Sequence, residues 1–258
     1  MNYINRLFDL KEKVVAITGG SGYLCSNLAV GLSKVGCKII ILDKNINKNS
    51  KVFIDLKNNK ADFIAIKIDV SKKNEFKISL NKILKKYNKL DILINGAGIN
   101  APTSFMDITE AEWDLIFNTH LKGTLFGCQV FGGYMLKKGN GCIINFSSAS
   151  ANPPLSKAYA YSAAKAGINN LSQNLAREWA KKNVRVNALR PGFFPTDWSK
   201  KNFLDKKRIN AILNHTPMGR FGKPNELLGA VIWLCSDSSS FVTGAEIPID
   251  GGFSSMSI

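Results

Sequence analysis

Long apolar runs are missing from this sequence. No stretch of its 258 residues reaches the ~20 needed for a membrane-spanning helix, which excludes that reading of the chain. Cysteine is sparse and unpatterned. Cys25, Cys37, Cys128, Cys142 and Cys235 lie far apart, odd in number and without a CxxC, so neither a disulfide framework nor a metal site is suggested. A reducing, cytoplasmic setting fits, and Met1 to Lys13 shows no positive segment leading into a long apolar run, so no secretion signal is expected. Acidic residues are the other shortage: 19 Asp and Glu stand against 35 Lys and Arg, a formal net charge of +16. Such a field attracts polyanions. The lysines, however, are scattered in short pairs such as Lys72-Lys73, Lys85-Lys86 and Lys181-Lys182, with no basic stripe interleaved with aromatics. Neither nucleic acid nor a membrane is therefore an expected partner. One denser cluster, Lys200, Lys201, Lys206, Lys207 and Arg208, could hold an acidic substrate or form a solvated face.

What is present is ordinary core material, with hydrophobic residues at 45%, enough for a sizeable core in a chain of this length. From Lys13 onward, short apolar β-branched runs alternate with stretches of helical periodicity. The runs are Val14 to Ile17, Lys38 to Leu42, Ile64 to Ile68, Asp91 to Ile94, Cys142 to Phe146, Val184 to Leu189 and Glu246 to Ile249. Helices are expected at Asn27 to Val35, Lys73 to Tyr87 and about 109–137, 159–182 and 224–236. Strands alternating with helices imply right-handed crossovers and a parallel sheet covered on both sides. The expected fold is α/β, a Rossmann-type doubly wound parallel sheet. No repeat, linker or low-complexity segment divides the chain, so 1–258 reads as one dinucleotide-binding and catalytic domain. Ligands bind such sheets at the carboxyl ends of the strands, near the point where strand order reverses.

After the first strand comes Thr18-Gly19-Gly20-Ser21-Gly22-Tyr23-Leu24-Cys25, opening a helix. Free backbone N–H groups and a positive dipole end there suit a pyrophosphate, and the glycines let the backbone approach it. Gly19, Ser21, Gly22, Tyr23 and Leu24 are thus candidate cofactor contacts. Cys25 stands where the fingerprint has its third glycine and reads as a small packing residue. Asp43 ends the second strand, where a carboxylate can bind the adenine-ribose hydroxyls and repel a 2′-phosphate. NAD is therefore expected over NADP, although the adjacent Lys44 could hold that phosphate. Asp69 and Val70, after the third strand, are placed for the adenine edge, with a helix N-cap as the plainer role of Asp69.

Tyr161 and Lys165 are four residues apart, on one helix face about one turn from each other. A neighbouring cation favours a phenolate and should bring Tyr161 toward its working range as a proton donor or acceptor. Ser148, thirteen residues before Tyr161, ends another strand and can hydrogen-bond the same reacting oxygen.

In order and spacing, Thr18-Gly19 to Gly22, Asn95-Gly96-Ala97-Gly98, Ser148, Tyr161 with Lys165, and Pro191-Gly192 with Thr196 resemble the classical short-chain dehydrogenase/reductase family over essentially the whole chain. That resemblance implies an NAD(P)-dependent oxidoreductase, usually a homotetramer, acting on an alcohol or carbonyl carbon. It casts Tyr161 as acid–base, Lys165 as the nicotinamide-ribose ligand and Ser148 as the substrate-orienting hydroxyl. It places Asn95, Ala97 and Gly98 at the sheet and adenine pocket, and Pro191, Gly192, Phe194 and Thr196 at the nicotinamide. One asparagine of the family's Asn-Asn-Ala-Gly is missing. Where the family reads Asn-Leu-Lys-Gly, this chain has His120-Leu121-Lys122-Gly123. His120 thus replaces a fourth catalytic residue that acts largely through its backbone carbonyl, or it passes protons itself, given an unperturbed pKa of about 6.5.

The segment at about 196–217 corresponds to the family's substrate cover, with Trp198 and Phe203 offering apolar surface. His215 to Gly222 and Asp250 to Ser254 resemble sugar-acid oxidoreductases of the mannonate/fructuronate and gluconate type, with Arg220 expected to be structural. A reductase of an apolar ketone or acyl thioester, and a non-catalytic dinucleotide-binding regulator, are the alternatives.

Overall fold

The structure, a computed structural model, describes residues 2–152 and 155–256, without the side chain of residue 198. Seven parallel strands form one sheet in the order β3-β2-β1-β4-β5-β6-β7. They are β1 (Val14–Thr18), β2 (Lys38–Asp43), β3 (Phe63–Lys67), β4 (Ile92–Asn95), β5 (Gly141–Phe146), β6 (Val184–Pro191) and β7 (Glu246–Ile249). The expected doubly wound architecture is the one observed.

The helices are α1 (Tyr3–Leu7), α2 (Tyr23–Lys34), α3 (Lys51–Asn58), α4 (Lys73–Tyr87), α5 (Glu110–Phe117), α6 (Gly123–Gly127), α7 (Gly133–Lys138), α8 (Tyr159–Trp179), α9 (Asp197–Asn202), α10 (Lys206–Asn214) and α11 (Leu228–Cys235). Helices α5, α6 and α7 run on through two π-helical turns, Asn118–Lys122 and Cys128–Gly132, so the single long helix expected there is interrupted twice. Such π turns occur often at functional sites. The sequence reading had no helix at α3, whose eight residues are too few for a clear 3.6-residue period.

Alternation along each central strand explains the two layers. Val15 and Ile17 of β1 face one cluster, built with Leu28 and Leu32 of α2, Phe53 and Leu56 of α3, and Val231 and Leu234 of α11. Val14 and Ala16 face the other, with Phe76 and Ile83 of α4, Phe131, Met135 of α7, and Ala176 and Trp179 of α8. Every residue of β1, β4 and β5 is buried, as strands covered on both faces require. The edge strands depart from that expectation: β3 and β7 are only partly covered, because each has a neighbour on one side alone.

Strand order reverses between β1 and β4. The chain leaves β1 for one layer and β4 for the other, which opens a crevice at their carboxyl ends.

Candidate active site

Glycine shapes the β1–α2 turn. Gly19 has φ 65°, and a Cβ there would lie 2.7 Å from Ala97 Cα, so the turn can pack against the end of β4 only without a side chain. Thr18 Oγ1 ties the same two segments, accepting from the amides of Gly96 at 3.1 Å and Ala97 at 3.2 Å. Gly22 caps α2 with no side-chain bond, leaving the first-turn amides at the positive end of the helix without helical partners. This cradle fits a pyrophosphate.

Cys25 is buried beneath the turn. A Cβ built on Gly96 would overlap its Sγ. The two departures from the family pattern, cysteine for the third glycine and glycine for the second asparagine, are therefore complementary in space. Burial pushes the Cys25 thiol up to about 12, so it is a packing group.

At the other end of the crevice Asp43 Oδ2 accepts from Ser21 N at 3.0 Å and Oδ1 from Asn45 N at 3.1 Å. Lys44 Nζ lies 3.3 Å from Asp69 Oδ2, while Asp69 Oδ1 accepts from Ser71 N and Oγ. Those bonds, the Ser71 hydroxyl first, hold the Asp69 carboxyl below its usual range.

Ser148 follows β5. Its Oγ accepts from Ser150 N at 3.2 Å and from Ser150 Oγ at 3.1 Å. With both lone pairs taken, the hydroxyl proton is left to point at an oxygen in the cavity. Tyr161 and Lys165 project from α8; Lys165 Nζ donates to Phe146 O at 2.5 Å and lies 5.5 Å from the Tyr161 ring centroid. Lys165 is buried, and burial pushes its ammonium down to about 7. Burial also pushes the Tyr161 phenol up, partly offset by Ser148. The lowering expected from the cation is not what is found: desolvation is the larger influence on Tyr161 and Ser148 works against it, while the ammonium gives one of its donors to the Phe146 carbonyl.

One crevice, with a cavity of about 1170 Å³, is lined by Gly19, Ser21, Gly22, Tyr23, Leu24, Asp43, Asp69, Val70, Ala97, Gly98, His120, Ser148, Tyr161, Lys165, Pro191, Gly192, Phe194 and Thr196. Asn95 is the exception among the candidate cofactor contacts. Its side chain turns into the sheet, donating to Asn145 Oδ1 at 2.8 Å, so it braces β4 against β5 and does not reach the cavity. The basic cluster does not reach it either. None of Lys200, Lys201, Lys206, Lys207 and Arg208 lines the crevice. Lys200 faces Asp197 at 3.6 Å, and Arg208 donates to Ser156 and stacks on Phe203. Arg220 pairs with Glu226 through both nitrogens, the structural role expected of it. His215 packs edge-on against Phe253 outside the crevice. The Trp198 side chain lies outside the described residues.

Several lining residues escaped the sequence reading. Ser150, two places after Ser148, carried a signal in its position; Ile99, Asn100, Thr119 and Leu155 carried none, since only the fold brings them to the cavity.

A family model described as enoyl-(acyl carrier protein) reductase matches residues 24–254. An uncharacterized oxidoreductase, UxuB of Bacillus subtilis, is 38% identical over 266 residues, covering 95% of this chain and 96% of the relative. The chain belongs to the short-chain dehydrogenase/reductase family. Two solved members of the family extend the comparison. A structure from Haemophilus influenza described as a putative D-mannonate oxidoreductase, with bound NAD, is 37% identical with a TM-score of 0.89 over 96% of this chain and 97% of its own. A gluconate 5-dehydrogenase from Burkholderia cenocepacia J2315, in complex with NADP and tartrate, is 27% identical with a TM-score of 0.92 over 98% and 99%. This family member is an oxidoreductase that uses a nicotinamide dinucleotide and acts on an alcohol or carbonyl carbon. No helix among the described residues is long and apolar enough to cross a membrane.

Proposed function

We propose that the enzyme interconverts a secondary alcohol and its ketone on a sugar acid or polyol, with NAD preferred. One observation carries the reading: Ser148, Tyr161 and Lys165 line the same cavity as the Gly19–Gly22 cradle. The nicotinamide, when bound, supplies or takes the hydride. Tyr161 gives a proton to the reacting oxygen in reduction and removes it in oxidation. Ser148 donates its hydroxyl proton to that oxygen as charge develops. Lys165 holds the nicotinamide ribose from α8, and Ala97, Gly98, Pro191, Gly192, Phe194 and Thr196 flank the rest of the cofactor.

The mannonate and gluconate relatives support the substrate class, as do the neutral hydrogen-bonding groups Asn100, Thr119, Ser150 and Ser199 in the lining. With no lysine of that cluster in the lining, recognition of a substrate carboxylate falls to other groups of the cavity. Preference for NAD is supported by Asp43 at the ribose end and by Lys44 being drawn to Asp69, away from a 2′-phosphate. Residues 196–217 are the proposed substrate cover of a single domain, since α9 and the link that follows it bring Ser199, Phe203 and Leu204 to the cavity. A homotetramer in the cytoplasm completes the reading, supported by exposed apolar Phe105, Met106, Trp113 and Tyr159 and by five buried free cysteines.

The test is an NADH fluorescence titration joined to an oxidation screen of aldonic acids and polyols. Tyr161→Phe should bind NAD as the parent does and lose turnover; retained turnover refutes the assignment. Turnover only with apolar ketones would refute the substrate class, and binding without any turnover would point to a regulator.

A further inference from the structure

Of the basic residues clustered at 200–208, the four lysines are exposed and Arg208 is the one partly buried. Asp205 caps α10, its Oδ1 accepting from Arg208 N at 2.7 Å, which sets residue 208 in the first turn. From there the guanidinium crosses to the turn ahead of α8. Nη1 donates to Ser156 Oγ at 2.6 Å and Nη2 to Ser156 O at 2.9 Å. One planar fork thus holds the hydroxyl and the carbonyl of a single residue, a geometry that a lysine ammonium cannot copy. Arg208 Cζ also lies 3.9 Å from the centroid of the Phe203 ring, and Nε is buried without a hydrogen-bond partner. Both segments joined in this way wall the cavity. Phe203 and Leu204 reach it from the link after α9, Leu155 and Ala158 from either side of the gripped turn. That turn leads directly into α8 and Tyr161, and within it Lys157 has φ 58°, a left-handed conformation uncommon for a residue with a side chain.

We propose that Arg208 is a positioning residue for the reaction: a clasp that fastens the substrate cover to the turn ahead of α8 and so holds two walls of the cavity at a fixed separation. This rests on the reading of residues 196–217 as that cover. Arg208 does not line the cavity. It acts through Phe203, whose ring it backs, and through Leu155, the neighbour of the residue it grips. Without the clasp α10 keeps its Asp205 cap and its buried Ile212, so the fold survives, but the link carrying Phe203 and Leu204 loses its tie to the far wall. Substrate binding is what suffers, because the loosened cover must then be ordered at the expense of the binding energy.

The experiment compares Arg208→Met, Arg208→Lys and Ser156→Ala with the parent. Trypsin digestion without substrate, followed by mass spectrometry, reads the clasp, because the cover carries the exposed Lys200, Lys201, Lys206 and Lys207. Cleavage after these lysines should quicken about tenfold in Arg208→Met and Arg208→Lys, the scale of one charge-assisted hydrogen bond lost from a locally opening segment. Ser156→Ala keeps the carbonyl acceptor and should quicken it less, and cleavage elsewhere should stay as in the parent. In steady-state kinetics with NAD and D-mannonate, Arg208→Met and Arg208→Lys should raise KM for D-mannonate about tenfold, with kcat held within about threefold and KM for NAD unmoved. A lysine variant with the parent's KM overturns the clasp, since charge alone would then act on an anionic substrate. Cleavage of Arg208→Met at the parent's rate overturns it as well, as does faster cleavage at every site together. Faster cleavage confined to the cover with an unmoved KM means that the fastened segment does not cover the substrate, and both readings fall. If Arg208→Met does not fold, the lysine and Ser156→Ala variants decide. If D-mannonate is not turned over, the reading of the substrate fails while proteolysis still judges the clasp.

Discussion

Replacing Gly96 by alanine should destabilise the protein, and doing so in a Cys25→Ala background should not add to the damage. A Cβ at residue 96 overlaps Cys25 Sγ, while it would stand 3.8 Å from Cys25 Cβ, ordinary contact. Gly96 has no left-handed φ, so the backbone itself accepts alanine. Alone, Gly96→Ala forces a buried sulfur aside and should cost about 1–3 kcal/mol, the range for overpacking a core. Cys25, 3% exposed, loses only its sulfur in Cys25→Ala, a cost of about 1–2 kcal/mol from lost burial and the small void. In the double variant the new methyl group enters that void, so the pair should couple favourably by at least about 1 kcal/mol. The remaining close neighbour, Thr18 O at 3.2 Å, needs a shift of a few tenths of an ångström. Urea unfolding of the four proteins measures the cycle, with melting temperature as a check, each 1 kcal/mol being worth roughly 2–4 °C at this size. Costs that add within about 0.5 kcal/mol would mean that the two residues do not share the space.

Two further outcomes are expected. Lys165 has an unfolded value of 10.5 and a folded one pushed down to about 7, so between those pH values the unfolded state binds more protons. The contribution of Lys165 to stability therefore rises with pH across that window and is lost below it. Lys165→Met should flatten this slope and raise the melting temperature at pH 7 while abolishing turnover; an unchanged pH dependence of unfolding contradicts the burial argument. Asp43→Ala removes the carboxylate expected to face a 2′-phosphate and should cut the NAD-to-NADP ratio of kcat/KM about tenfold, equivalent to about 1.4 kcal/mol. A ratio that stays put, measured by initial rates with each cofactor, would remove Asp43 from cofactor choice.

Much of the architecture was legible because its signals are local. Val14 to Ile17 and Cys142 to Phe146 are apolar enough to need cover on both faces, and the glycines after β1 can serve only a turn that brings backbone close to backbone. The spacing of Tyr161 and Lys165 implied one helix face without any coordinates. Helix α3 was missed because eight residues carry too little periodicity, and the breaks in the α5–α7 helix because a π turn has no composition of its own. Asn95 supports the sheet, as its motif implied, but a motif marks a position on a strand and not the direction of its side chain; that direction, into the sheet and away from the cavity, came from Asn145 on β5.

The sequence by itself determined the fold class, the dinucleotide turn and the residues able to do acid–base chemistry, since these follow from patterns within a few tens of residues. Only the tertiary structure decided their electrostatic state, because burial is a property of everything packed around a group. It raised Tyr161, lowered Lys165, silenced the thiol of Cys25 and kept His120 neutral. It alone showed that Cys25 and Gly96, 71 positions apart by their numbers, occupy complementary space, and that the imidazole of His120 is fastened to the Ile99 backbone.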